Sequence, residues 1–470
     1  MQIKGNYLRL LLLPCLLFLC CTVPHLEQGD FRRDTVRYAA VGHYMWAHGP
    51  LGVSYLDPQT PYFNKPPLAT AIHGLALQTL GVNLAAARLP SILAALGTVI
   101  FSVLTLRLLA SKTEAIVSGL VLATTYEFFR RTREISLDFW QLCFVMLAVF
   151  LTVRALKNRS VIGLLAAGAP LGLALLCKPL VALGTLPVLA LWAVLMGQRR
   201  AAIWILTGTL AVALIVAAPW HLYMWSLFGN AFLRQYFGHE VVSRARGEMS
   251  TNPFYFYLVI MAQSYWPWTL AAVWAVWVRW FRPKGSQRHA HRDVTLLAAA
   301  WVGCLLIFLS CFPDKKVNYA LPLYPMLSWM AAAGLCRLPW RKLRTWRARQ
   351  FAYLAPATVA LFVLLSVLPI QFQAPPSKDR LALFNWMREA KIPPASVRYF
   401  NLEPETISYF YLKTGAFPVR IAPATNADLT SPILIKRDPK TALPAPALFV
   451  AGNLAVISGT KLLAFLPQVK

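Results

Sequence analysis

The chain alternates between long apolar runs and short basic or proline-bearing breaks. Runs near the ~20 residues needed to cross a bilayer's hydrocarbon core fall at 84–106, 139–153, 203–220, 294–312 and 351–370, with others between them. One such run could be a buried core helix; so many in one chain predict a polytopic membrane protein. The pattern predicts eleven spans, centred near residues 15, 97, 121, 146, 168, 188, 211, 267, 303, 327 and 361. Two longer segments interrupt them, at 26–83 and 226–253. In the first, Tyr38, Val41 and Met45, then Leu68, Ile72, Leu75 and Leu80, recur at helical spacing and predict two helices lying along the membrane surface. In the second, a helix is expected over 230–243.

After residue 370 no apolar run is long enough to span. Segments 396–400, 418–421, 433–436 and 447–451 read as strands, and 381–390 and 405–412 as helices. The expected organisation is therefore an all-α transmembrane domain over 1–370 and a small C-terminal α/β domain over 371–470.

Charge adds orientation. If the N-terminus is cytoplasmic, Arg107 and Lys112, the trio Arg154, Lys157 and Arg159, the pair Arg199 and Arg200, and the clusters at 279–292 and 337–349 all fall on the inner side. Of 18 acidic residues, only Glu114 and Asp293 then face the cytoplasm, so the chain's carboxylate chemistry belongs outside, together with the C-terminal domain. Composition agrees: 58% of residues are hydrophobic and 14% charged, which excludes an ordinary soluble domain. The net charge of +28 would suggest nucleic acid in a soluble protein, but its concentration in inter-helix loops points to a membrane instead. The eight cysteines sit in or beside apolar runs and lack metal-ligand spacing. Residues 10–21, preceded by Lys4 and Arg9, read as an uncleaved first span, since no small-residue cleavage site follows.

Cations expected on the outer side run against this bias and carry more information. They are Arg130, Arg131 and Arg133 before the fourth span, Lys178 before the sixth, Lys315 and Lys316 before the tenth, and Arg234, Arg244 and Arg246 in the second loop. Such groups suit an anionic lipid headgroup, whether bound for structure or for chemistry. Asp34 heads the first surface helix, where a carboxylate also serves as an N-cap. Lys65 precedes Pro66 and Pro67, a stiff entry to the second helix. Trp220, Tyr223, Trp225, Tyr255, Tyr257, Tyr265, Trp266 and Trp268 read as an interfacial aromatic belt.

Taken in order, Asp34, Arg37-Tyr38-Ala39, Tyr62, Lys65-Pro66, Arg133 to Asp138, Lys178, Pro219-Trp220-His221, His239-Glu240, Pro267-Trp268 and Lys316-Val317-Asn318-Tyr319-Ala320-Leu321-Pro322 resemble the bacterial C-type-fold membrane glycosyltransferases. Within these the likeness is to the lipid A aminoarabinose transferases, relatives of the protein O-mannosyltransferases, and it covers about the first 335 residues. The resemblance implies transfer of a sugar from undecaprenyl phosphate or a similar polyprenyl-phosphate carrier to lipid A or another envelope acceptor, on the periplasmic side of the inner membrane. It implies Asp34 as the catalytic carboxylate, and Arg37, Tyr38, Tyr62, Lys65, Arg133, Asp138, Lys178, His239, Glu240, Lys316 and Tyr319 as substrate-binding residues. A divalent metal stays open, with Asp34 the only first-choice ligand, because Thr35 and Asn64 stand where relatives often carry further acids. A protein O-mannosyltransferase-like activity is the alternative within enzymes. A lipid transporter or flippase is the alternative outside them, disfavoured by the absence of repeat symmetry and of mid-span charges.

Overall fold

The computed structural model describes residues 7–24, 26–31, 33–243, 252–281, 292–337, 377–400, 402–420, 432–436, 447–451 and 453–458, with a few isolated positions between 357 and 364. The span expected at 361 and the cations Arg244 and Arg246 lie outside the described residues. Contacts divide the chain into two compact units. One comprises 1–26, 63–69 and 88–370; the other comprises 27–62, 70–87 and 371–470.

Among its described residues the first unit is mainly helical. Helices Leu84–Leu109 and Leu137–Asn158, the helical stretch Arg199–Gly238 and helix Asp293–Cys311 are long and apolar enough to cross a membrane, and Leu8–Thr22, Val161–Leu175, Val181–Leu195 and Trp268–Trp277 are shorter apolar helices. Prolines shorten several. The run near 327 begins as a 3-10 segment, Val317–Leu323, and becomes α-helical only at Tyr324–Cys336, because Pro322 and Pro325 lack the N–H that a continuous α ladder uses. Leu210–Leu233 packs on Gly168–Leu175, and Tyr324–Cys336 packs on both Trp268–Phe281 and Lys112–Ala123.

The helix expected at 230–243 exists, but it is the return arm of a hairpin rather than a free loop element. Gly229 interrupts Leu210–Leu233 with φ 52° and ψ −133°. Fifteen residues of straight helix would span about 22 Å, yet His221 Nε2 lies 3.4 Å from the Tyr236 hydroxyl and Trp220 meets the Phe232 ring edge-on at 5.7 Å. The chain therefore folds back at Gly229. No atom approaches a Cβ built at this position, so any substitution cost is purely backbone. Gly229→Ala is expected to destabilise the protein by about 2 kcal/mol, read as a lowered thermal unfolding midpoint in detergent.

The aromatic belt divides in two. Tyr223, Trp225, Tyr255 and Trp266 are exposed, whereas Tyr257, Tyr265 and Trp268 are buried in the helical core, Tyr265 stacking on Tyr324 at 6.0 Å.

The second unit contains helices Arg33–Ala47 and Pro404–Thr414, most of helix Leu68–Leu80, helix Lys378–Glu389 and a five-stranded sheet. Strands Arg398–Phe400, Val419–Arg420, Pro432–Lys436 and Phe449–Ala451 fall where the alternation predicts them, and Leu454–Ser458 is an additional strand. In the sheet, Arg398–Phe400 lies between Val419–Arg420 and Pro432–Lys436, parallel to both. Leu454–Ser458 runs antiparallel to Pro432–Lys436 and to Phe449–Ala451.

The surface-helix expectation needs correction here. On Arg33–Ala47, Val36, Ala39, Ala40, Val41 and Met45 are all buried by protein, so this helix does not offer its apolar face to headgroups. Two glycines make that packing possible. A Cβ on Gly42 would overlap the Thr70 carbonyl oxygen and stand 3.0 Å from the Gly74 nitrogen; one on Gly74 would stand 2.7 Å from the Gly42 Cα. The helices cross backbone to backbone, fixed further by Trp46 Nε1 donating to the Ala71 carbonyl at 2.7 Å.

Candidate functional site

In the first unit two of the predicted cations, Lys178 and Lys65, stand at the starts of helices. Lys178 is the N-cap of Pro179–Leu195, with extended backbone and proline at the first helical position. Lys65, also followed by proline, is buried. The two Lys-Pro starts are stitched together, since the Leu68 N–H donates to the Leu176 carbonyl at 3.1 Å. Phe63 wedges against Phe228 and Phe232 of the hairpin at 4.9 and 5.7 Å, and Asn64 Oδ1 accepts from Gln235 Nε2 at 3.1 Å.

Asp138 stands in the first turn of Leu137–Asn158 and organises this cluster. Its Oδ1 accepts from Lys178 Nζ at 2.6 Å, and its Oδ2 accepts from Asn318 Nδ2 at 2.8 Å. The Lys178 ammonium also lies 4.5 Å from the centroid of the Tyr319 ring, within cation–π range. Gln141 fixes the Lys178 backbone by donating to its carbonyl. Asp138 and Lys178 keep 16% and 17% of their side-chain surface, so the pair is mostly sheltered yet still reachable. Asp138, Lys178 and Tyr319, predicted separately, thus form one site. Asn318 completes it; it lies within the segment 316–322, where a neutral amide carries no sequence signal that singles it out.

Other predicted groups are committed elsewhere. Arg130 and Arg131 each bridge both Glu127 and Glu134 at 2.7–3.0 Å, a network whose formal charges cancel. Arg133 is buried, stacked 4.7 Å over Phe129, and donates to the Cys21 carbonyl at 3.0 Å. Lys315 Nζ donates to the Phe312 and Asn252 carbonyls at 2.6 and 3.1 Å, clamping its own loop. Lys316 is the half-buried N-cap of Val317–Leu323. His239 and Glu240 lie in the helical segment Arg234–Ser243, and their side chains are outside the described residues.

In the second unit, Asp34, Arg37, Tyr38 and Tyr62 form another group. Asp34 occupies the first turn of Arg33–Ala47 and is exposed. Arg37 Nη2 donates to Asp34 Oδ1 at 2.6 Å and to Glu405 Oε1 at 2.6 Å. Burial opposes the charge on Arg37, but Tyr62, Asp34, Glu405 and Tyr38 together raise its pKa above the ordinary guanidinium range. Glu405 is a residue that sequence reasoning missed. It stands 368 positions from Arg37, on a helix whose pattern marks only packing. One turn and a half further along both helices, His43 Nδ1 lies 2.9 Å from the Tyr411 hydroxyl. Burial, with a smaller contribution from His48, lowers the His43 pKa below the ordinary imidazole value, so the ring is neutral at pH 7. Burial likewise raises the pKa of Tyr411, which therefore stays a donor.

These residues do not fit a divalent metal. Asp34 commits Oδ1 to Arg37, Asn64 commits its amide oxygen to Gln235, and among the described residues no three His, Cys, Asp or Glu side chains converge on a point.

A family profile for dolichyl-phosphate-mannose-protein mannosyltransferases matches residues 64–225. An undecaprenyl phosphate-alpha-4-amino-4-deoxy-L-arabinose arabinosyl transferase of Pseudomonas aeruginosa is 29% identical over 331 residues, covering 67% of this chain and 58% of that protein. The enzyme of the same name from Pectobacterium carotovorum is 24% identical over 355 residues, 72% of this chain and 62% of its own length. The chain therefore spans less than two thirds of the curated relatives it matches. Among solved structures, ArnT from Cupriavidus metallidurans bound to undecaprenyl phosphate superposes with a TM-score of 0.71 at 16% identity, over 97% of this chain and 98% of that one. The archaeal oligosaccharyltransferase AglB from Archaeoglobus fulgidus gives 0.52 at 15% identity over 88% of this chain and 60% of its own. The ArnT fold is thus matched across nearly the whole chain, and the sequence is similar to the mannosyltransferase family profile through the segment that carries Lys65, Asp138 and Lys178.

Proposed function

We propose that this protein transfers a sugar from a polyprenyl-phosphate donor, undecaprenyl phosphate in the first place, to lipid A or a related envelope glycolipid on the periplasmic side of a bacterial inner membrane. Eleven spans, a cytoplasmic N-terminus, and division into a membrane domain at 1–370 and a periplasmic α/β domain at 371–470 are part of the proposal. The observation that carries it is the pair of Lys-Pro helix starts, stitched at Leu68 and Leu176, with Lys178 held by Asp138 and Tyr319.

The chemistry asks for such groups. An acceptor oxygen attacks the anomeric carbon, its bond to the carrier's phosphate oxygen breaks, and the electron pair leaves with that oxygen as polyprenyl phosphate. Stabilising the departing phosphate needs fixed positive charge more than a proton. Lys178 and Lys65 supply that charge in this reading, with Lys316, Arg133, His239 and Glu240 assigned to substrate binding by the family pattern alone. Asp34 is the active-site carboxylate, with Arg37, Tyr38 and Tyr62 around it. An acceptor phosphate, already anionic, asks Asp34 to orient the sugar, whereas an acceptor hydroxyl asks it for general-base work.

The test is transfer of label from a panel of polyprenyl-phosphate sugars to membrane lipids by purified protein. Asp34→Asn is expected to slow transfer by about a hundredfold or more. Equal rates for Asp34→Asn and wild type would remove Asp34 from the chemistry. Label appearing on serine or threonine of a peptide would move the assignment to a protein O-mannosyltransferase-like activity. Lipid crossing the bilayer with no donor consumed would replace the enzyme with a transporter.

A further inference from the structure

We propose that Glu405, contributed by the C-terminal segment, is a positioning residue for Asp34 and acts through Arg37; this rests on the reading of Asp34 as the active-site carboxylate. Arg37 Nη2 is a single nitrogen with two hydrogens, and it donates to Asp34 Oδ1 and Glu405 Oε1 at the same distance, 2.6 Å. The guanidinium is planar and rigid, so fixing one of its donors on Glu405 fixes the direction of the other. Asp34 itself is 54% exposed at its side chain, whereas Arg37 and Glu405 are 19% and 23% exposed. The more exposed Asp34 is thus tied to a more sheltered pair behind it.

The supporting helix is well placed for this. Pro404 sets the backbone at the first position of Pro404–Thr414 and Glu405 follows it in the first turn. A second tie, His43 to Tyr411, lies six residues along from Arg37 and six along from Glu405, so the two helices run side by side in the same direction. Ring contacts of Tyr44 with Tyr411 at 5.8 Å and Phe417 at 5.2 Å reinforce the same interface. A carboxylate in a first helical turn also gains from the helix dipole. That benefit is structural only, and it would leave Asp34 untouched if Glu405 were removed.

Sharing has a chemical consequence besides geometry. With two carboxylates on one guanidinium, Arg37 cannot neutralise Asp34 fully, and the Asp34 oxygen not bonded to Arg37 keeps its negative character for the sugar or acceptor. Removing Glu405 would let Arg37 swing and close bidentately on Asp34, occupying both oxygens.

The experiment measures transfer kinetics of full-length protein with an undecaprenyl-phosphate sugar for Glu405→Ala, Glu405→Gln and Tyr411→Phe, each also combined with Asp34→Asn. Glu405→Ala is expected to lower kcat by about tenfold or more, the scale of one charge-assisted hydrogen bond, with donor KM within about twofold. Glu405→Gln keeps an oxygen acceptor for Arg37 and should recover part of the loss. Tyr411→Phe cuts the other tie in the same interface and should leave kcat unchanged. In the Asp34→Asn background, Glu405→Ala should add less than about twofold, because a positioning residue has nothing left to position. An unchanged kcat in Glu405→Ala, or losses that multiply with those of Asp34→Asn, would overturn the proposal while leaving Asp34 catalytic. Full transfer by Asp34→Asn would instead overturn the role of Asp34 and this inference with it. If Glu405→Ala does not fold, Glu405→Gln in both backgrounds reads the same coupling.

Discussion

Gly42→Val is expected to give the largest loss of stability of any single substitution considered, about 3 kcal/mol or more, with transfer activity lost in the protein that survives purification. Helices Arg33–Ala47 and Leu68–Leu80 touch at Gly42 and Gly74 with nothing between their backbones. A side chain at Gly42 meets a carbonyl oxygen rather than the flexible end of a neighbour, so relief requires separating the helices. That separation opens the packing around Val41 and Met45, both buried, and displaces the helix that carries Asp34 and Arg37. Gly184 provides the contrast. It lies inside Pro179–Leu195 with no atom near its would-be Cβ, so Gly184→Ala should be neutral or stabilise by up to about 1 kcal/mol. Thermal unfolding of both variants in one detergent checks the pair; a Gly42→Val protein as stable as wild type would show that the crossing is looser than the structure has it.

The second large effect is expected at Asp138. Asp138→Ala leaves the Lys178 ammonium largely sheltered without its counter-charge and leaves the Asn318 amide without its acceptor, at a cost of about 3 kcal/mol, the lower end of the range for breaking a buried pair. The Tyr319 ring softens this loss but does not replace a carboxylate. Removing both charges together should cost less. Asp138→Leu combined with Lys178→Met is expected to be more stable than Asp138→Ala alone, since no buried charge is stranded. On the proposed function both proteins should be inactive in sugar transfer, the double variant because the cation proposed for the donor phosphate is gone. A double variant less stable than Asp138→Ala would mean that the pair is held for its own stability rather than to aim Lys178.

The sequence determined that the chain is a bundle of apolar helices, because only a bilayer tolerates so many apolar runs, and it determined the order of motifs in which Asp138, Lys178 and Tyr319 occur. It also placed most elements of the C-terminal segment, since strand alternation and proline starts are local signals. Which face of each helix meets protein was not legible. A lipid-facing surface and a helix–helix interface are both apolar, so periodicity carries little contrast, and Tyr257, Tyr265 and Trp268 read as a belt although they are core. Charge balance was hidden for a similar reason: Arg130 and Arg131 count as free cations until Glu127 and Glu134 are seen to bracket them one turn away. The tie between Arg37 and Glu405 joins residues 368 positions apart, and no local pattern encodes it. Local propensity and solvent preference are written residue by residue, but the partner of a side chain is chosen by packing, and packing exists only once the chain has folded.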